Sequence, residues 1–167
     1  MSTKTVIHTI MERLSILCPE GYALGLNISL HSPRFLIQTY AKSWAEQYAR
    51  EGLLAFYPTV IWAVSSTGWK RWSEFSEDHD SKNMLKRAAS HGLHYGVVAS
   101  VHGSDNHSLG GFARSDREFT NGECDELLEL LSRIHEITDA LEQMPDEMIT
   151  SLRELSVRLS RSDQQLH

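Results

Sequence analysis

The first run of the chain, "TVIHTIMERLSIL", brings Val6, Ile7, Ile10, Met11, Leu14 and Leu17 onto one side of a 3.6-residue period. That spacing predicts an amphipathic helix, which "CPEG" ends. The period then changes to two. In "YALGLNISL", Tyr22, Leu24, Leu26, Ile28 and Leu30 alternate with Ala23, Gly25, Asn27 and Ser29, which predicts an unbroken strand with one face of large residues. The Gly and Ala face opposite is one that another object can approach closely. "HSPR" predicts a turn and "FLIQ" a returning strand, together a hairpin.

Helical spacing resumes in "TYAKSWAEQY", where Tyr40, Trp44 and Tyr48 lie four residues apart beside Ala41, Ala45 and Ala49. Such rings stack along one stripe with two hydroxyls and an indole N–H pointing off it. Spacing alone leaves two readings open, an aromatic core stripe and the wall of a binding site. Gly52 stops this helix. A short apolar helix around "PTVIWAV" and an "SSTG" turn follow. "SEDHDSKNMLKRAASHG" predicts a capped helix closed by Gly92, and "LHYGVVASV", "GSDNHS" and "LGGFAR" predict a second hairpin. Leu127, Leu130, Leu131, Ile134, Ile137 and Leu141 then trace a long helical stripe, and Met148, Leu152, Leu155 and Leu159 a further seam. Each stripe buries against another helix, in the same chain or across a dimer. Hairpins between helices predict an α+β domain, an antiparallel sheet with helices on its faces. No Gly-rich phosphate loop follows a strand, so a nucleotide-binding fold has no support.

Composition narrows this to one ordinary domain: 167 residues, 41% hydrophobic and 23% charged. No apolar run nears the ~18 residues of a membrane span, and the N-terminus lacks the unbroken apolar block of a signal peptide, so a cytoplasmic protein is expected. Cys18 and Cys124 stand alone and predict reduced thiols. Residues 1–115 carry 11 Lys and Arg against 9 Asp and Glu, and residues 116–167 carry 5 against 13. Neither part holds the basic stripe of a nucleic-acid binder, and the three cations of "KNMLKRAAS" suit a solvated helix face.

Candidate chemistry is sparse. Ser104, Asp105 and His107 have the residue types of a triad, but neighbours in one turn cannot readily form its sequential hydrogen bonds. His91, His94, His102 and His107 are spaced as strand and loop residues, with no carboxylate or thiolate at a metal-site offset. Glu77, Asp78 and Asp80 suit a helix cap. No catalytic residue, metal or cofactor is expected. What remains is the aromatic concentration of Tyr40, Trp44, Tyr48, Phe56, Tyr57, Trp62, Trp69 and Trp72, beside a strand face of small residues. It predicts an apolar cavity with a few convergent donors. A ligand sensor and a small cytoplasmic enzyme using that cavity are the competing readings.

The run "YAKSWAEQYAREGLLAFYPTVIWAVSSTGWKRWSE", followed by "SHGLHYGVVASV", resembles the autoinducer-binding domain of LuxR-type quorum-sensing regulators, over roughly residues 5 to 142. The resemblance implies an α/β/α sandwich around a five-stranded antiparallel sheet, PAS/GAF-like, holding an acyl-homoserine lactone between sheet and helices. It implies that Tyr40 bonds the acyl carbonyl, Trp44 the lactone carbonyl, and that Tyr48 packs along the acyl chain. Trp72 would close over the lactone ring, and Gly96 would belong to the strand near the pocket. Where the family typically has Asp to accept the ligand's amide N–H, this chain has Tyr57. Loss of that charge-assisted bond costs about 1.5–3 kcal/mol, so ordinary lactones are expected to bind weakly.

Residues 1–143 are then expected to form the sensing domain and 144–167 a helical extension. "MPDEMITSLRELSVRLSRSDQQLH" resembles at most the opening of a helix-turn-helix domain, with no recognition helix behind it. The expected partners are a small-molecule signal and a second chain, in a homodimer or in a heterodimer with a full-length regulator that the chain could antagonise, without direct DNA or membrane binding.

Overall fold

The computed structural model describes residues 2–29, 34–40, 58–75 and 79–140, with side chains from 83 onward in the last segment. The first amphipathic run forms α1 (Thr3–Leu17), which buries Ile7, Ile10, Met11, Leu14 and Leu17. Strands β1 (Tyr22–Ile28) and β2 (Phe35–Gln38) pair antiparallel, followed by α2 (Pro58–Ser65) and β3 (Gly68–Arg71). A 3-10 turn (Trp72–Phe75), α3 (His79–Ser90), β4 (Tyr95–His102), β5 (His107–Arg114) and α4 (Asn121–Ala140) complete the order among the described residues.

The five strands form one antiparallel sheet in the order β2-β1-β5-β4-β3. Tyr22, Leu24, Leu26, Phe35, Ile37, Val97, Ala99 and Phe112 lie on one face and meet the apolar stripes of α1 and α4 in a single core. The other face carries α2, α3 and the 3-10 turn, so helices cover both sides and the α/β/α sandwich is formed. Among the described residues no helix is long and apolar enough to cross a membrane.

One open choice is resolved, one expected pattern is broken, and one strand appears that the pattern did not announce. The 127–141 stripe belongs to this chain's own core as far as it is described, since Leu127, Leu130, Leu131 and Ile134 are all buried there against α1 and the sheet. The alternation of β1 is broken. Asn27 takes a left-handed backbone (φ 54°), and the pairing with β5 shifts register between Gly25 and Ile28. This bulge turns Asn27 toward α4 and brings Ile28 onto the face of Gly25, whose added Cβ would lie 3.3 Å from Ile28 Cδ1. Strand β3 has no alternation to read: "GWKR" is four residues long, at the sheet edge, and uniformly half-buried.

Helix α4 starts with a reciprocal cap. Thr120 Oγ1 accepts from the Glu123 N–H at 3.1 Å, and Glu123 Oε1 accepts from the Thr120 N–H at 2.8 Å. Arg117 also grips Glu123, and together these donors hold its carboxyl down to about 2.

Candidate ligand-binding site

The small-residue face is continuous across three strands. Ala23 of β1 pairs with Gly111 of β5, and Ala113 of β5 pairs with Gly96 of β4. Pairs two residues apart on one strand share a face, so these four positions leave a shallow floor in the middle of the sheet.

Two aromatic side chains are lowered onto that floor. Thr39 closes β2 through its N–H to Tyr22 O at 2.9 Å, while its Oγ1 accepts from the Tyr22 N–H at 3.1 Å. The Tyr40 N–H donates to Gln38 Oε1 at 2.9 Å, and the ring then runs inward until its hydroxyl stands 3.0 Å from where a Gly111 Cβ would be. Trp72 follows β3 directly. On the far face of that strand Trp69 Nε1 donates to Asp125 at 2.9 Å and Arg71 to Asn121 at 2.7 Å, both at the start of α4. The next residue therefore points to the near face, where the indole lies flat on Gly96. A Cβ there would be 2.0 Å from Trp72 Cδ2, so only glycine admits the ring.

Tyr40 and Trp72 share a buried cluster with Met84 and Ala88 of α3, Leu93 and Ala113, with Ala23, Val60 and Leu85 packed around it. The Trp72 Nε1–H is buried and has no hydrogen-bond partner among the described residues. An indole N–H in that state costs about 1–3 kcal/mol, and an acceptor supplied by a ligand would recover it. Helix α2 walls the site from the β4 side. Its end is held by Ser100 Oγ, 2.6 Å from Ala63 O, and by His102 Nε2, 3.2 Å from Ala63 O and 3.0 Å from the carbonyl of Ser66 just past the helix.

Of the expected site residues, Tyr40, Trp72 and Gly96 are brought together on this floor. Trp44, Tyr48 and Tyr57 lie outside the described residues, as do Phe56 and the 148–159 seam. Gly111 is a floor position that the sequence reading passed over. The signal was the Gly-Gly pair in the middle of "LGGFAR", where glycine in a strand marks a close approach.

Cys18 and Cys124 lie in the core on the other face of the sheet, away from this cluster. Burial pushes the Cys18 thiol up and the Cys124 thiol up to about 11, so both stay protonated. Ser104 and Asp105 are exposed on the β4–β5 turn, while the His107 ring stacks on His102 at 5.0 Å. No three His, Cys, Asp or Glu side chains among the described residues converge to hold a metal ion.

The fold recurs in solved structures. Escherichia coli SdiA matches with a TM-score of 0.62 at 22% identity, over 88% of this chain and 63% of that one. A structure titled SdiA in complex with octanoyl-rac-glycerol matches with a TM-score of 0.61 at 22% identity, over 86% and 61%. The Burkholderia cenocepacia N-acylhomoserine lactone-dependent LuxR-family factor CepR2 matches with a TM-score of 0.53 at 16% identity, over 85% and 95%. The chain thus spans about three fifths of the SdiA chains in those two structures. No curated protein sequence matches it. The family model for the autoinducer binding domain matches residues 7–137, which includes every strand of the sheet and all but the last residues of α4. The chain belongs to the autoinducer-binding domain family of LuxR-type regulators, whose members sense small-molecule signals and are not enzymes.

Proposed function

We propose that this chain is the sensing part of a cytoplasmic quorum-sensing regulator, and that its signal is a neutral acyl compound bound between the Gly96–Gly111 floor and the helices above it. The observation that carries this reading is the buried Trp72 N–H, without a partner among the described residues, in one cluster with Tyr40 over a floor of Gly and Ala. A donor-only group in an apolar cluster calls for a ligand oxygen.

Tyr57 narrows the choice of ligand. An N-acyl amide brings an N–H that wants an acceptor, and the residue expected to supply a carboxylate is a phenol here. An acyl glycerol ester has acceptor oxygens and no amide N–H, so it does not miss that carboxylate. It is favoured over the homoserine lactones.

Thermal shift with 1-octanoyl-rac-glycerol and N-octanoyl homoserine lactone tests this. The ester should raise the melting temperature at micromolar concentration and the lactone should do so weakly or not at all. Trp72→Phe keeps a ring on Gly96 but removes the N–H, and should weaken the ester about three- to tenfold, the worth of one hydrogen bond. A clear response to micromolar lactone overturns the Tyr57 argument. No response to either compound overturns the sensing of acyl signals.

Pairing with a second chain, a copy of this one or a full-length regulator, is assigned to Met148, Leu152, Leu155 and Leu159, because the 127–134 part of the earlier stripe lies in the domain's own core. Heterodimers of this kind would let the chain antagonise a full-length relative. Leu152→Asp with Leu155→Asp should abolish co-purification with such a relative while leaving the melting temperature of the domain unchanged. Undiminished association would remove the seam from the interface.

A further inference from the structure

The last two turns of α4 are fastened to the sheet by polar groups in addition to the apolar packing of Ile134 and Ile137. Asn27, at the β1 bulge, donates from Nδ2 to Thr138 Oγ1 at 2.5 Å, and its Oδ1 accepts from Asn106 Nδ2 at 3.0 Å. Asn106, on the β4–β5 turn, also donates to Asp139 at 2.9 Å. The Asn27 backbone N–H donates to Ser108 Oγ at 2.9 Å, and Ser108 Oγ lies 2.6 Å from His135 Nδ1. Three segments distant in sequence thus meet at one end of α4.

The proton positions follow from counting. Ser108 is fully buried, its oxygen already accepts from Asn27, and among the described residues its own proton has no acceptor except His135 Nδ1. The hydroxyl therefore donates to the ring, Nδ1 carries a lone pair, and the ring proton sits on Nε2, near Gly103. Any second proton must go onto the nitrogen that Ser108 occupies. The chain Asn27 N–H to Ser108 O–H to His135 is then reversed at its last link, and the serine proton loses its acceptor in a buried place.

We infer that His135 is the proton-sensitive catch of a latch that fastens the end of α4 to the β1 bulge and the β4–β5 turn, closed while the ring is neutral and released when it takes up a second proton. The surroundings oppose that uptake on balance. Burial lowers the affinity of the ring for a proton and His102 on β4 lowers it further, while Asp139 and Glu136 on its own helix act in the opposite sense. From β5 the ring is met by the neutral Ser108, while Asn27 of β1 reaches the His135 backbone carbonyl and His107 of β5 is stacked on His102. The charged groups of α1 and β3 act elsewhere: Arg13 reaches Glu126, His8 pairs with Glu12, and Arg71 bonds Asn121 at the other end of α4. Because the folded ring binds its proton less readily than the unfolded chain, the latch contributes fully above the ordinary histidine range. Its contribution is lost as pH falls through that range toward the lowered folded value.

Amide exchange read by NMR tests this on the whole chain, since the Asn27 N–H is itself a member of the latch. Its protection factor, corrected for intrinsic exchange, should fall on the order of tenfold between about pH 7.5 and 5.5, as two net hydrogen bonds are lost. Protection in β4 at Val97 and Val98 should not change. In His135→Gln the amide oxygen accepts from Ser108 at every pH, so the Asn27 protection should become independent of pH. An equal fall in wild type and variant, or no fall in wild type, overturns the inference. If the variant does not fold, the His135 ring titration in wild type decides: a midpoint at or above the ordinary histidine value rejects the latch, and one below it supports it.

Discussion

Gly96→Ala is expected to abolish the response to acyl ligands and to lower stability by about 1–3 kcal/mol. The added methyl would be placed 2.0 Å from Cδ2 and 2.3 Å from Cε2 and Cε3 of Trp72, in the middle of a rigid ring system. Carbon atoms rest about 3.5–4 Å apart, so the indole must move by well over an ångström. It cannot move toward the sheet, and above it lie Met84 and Ala88 of α3. The displacement should be visible in the tryptophan fluorescence and near-ultraviolet circular dichroism as well as in ligand titration. Gly122→Ala is the matched control. There, on the first turn of α4, the nearest group the new methyl meets is the capping hydroxyl of Thr120, 4.0 Å away, and helix propensity favours the change. If Gly96→Ala keeps a wild-type spectrum and binds acyl ligands, the indole does not lie on the floor as described.

Phe112→Ala should be the most destabilising single truncation of the two faces, at about 3–5 kcal/mol. Phe112 is fully buried on β5, the central strand, opposite Tyr22 on one side and Val97 on the other. Both neighbours are themselves fully buried, so little can collapse into the space left behind. A loss of that size is a third or more of the stability of a typical domain, and for a chain of this length corresponds to a fall in melting temperature of roughly 10 °C. Leu36→Ala on the edge strand β2, where the side chain is 56% exposed, should change stability by less than about 0.5 kcal/mol. Similar losses at the two positions would mean that the core is not centred on β5.

The layer architecture was legible because periodicity reports which side of an element is apolar, and that is a local property. The stripe of α1, the large face of β1 from Tyr22 to Leu26 and the second hairpin all appear where the period-3.6 and period-2 patterns put them. The resemblance added the fifth strand, which the pattern of "GWKR" alone could not reveal. An edge strand buried equally on both sides has no alternation to detect.

Other features depend on partners far away in sequence. The 127–141 stripe reads identically whether it meets α1 or a second chain, and the packing of Leu127, Leu131 and Ile134 against α1 settled the choice for that stretch. Asn27 looks like one more small residue in an alternating strand. It becomes a left-handed bulge because Ser108, Asn106 and Thr138 together satisfy its polar groups in place of the ladder.

By itself, then, the sequence determined most of the described elements and their apolar faces, the family, and the aromatic and glycine residues from which a site could be made. Only the tertiary structure decided that Tyr40 and Trp72 stand over Gly111 and Gly96, and that His135 faces Ser108. The physical reason is that propensity and pattern act between neighbours along the chain, whereas a cavity floor and a proton's position are set by strand register and by groups as far as 81 residues apart, as Asn27 and Ser108 are.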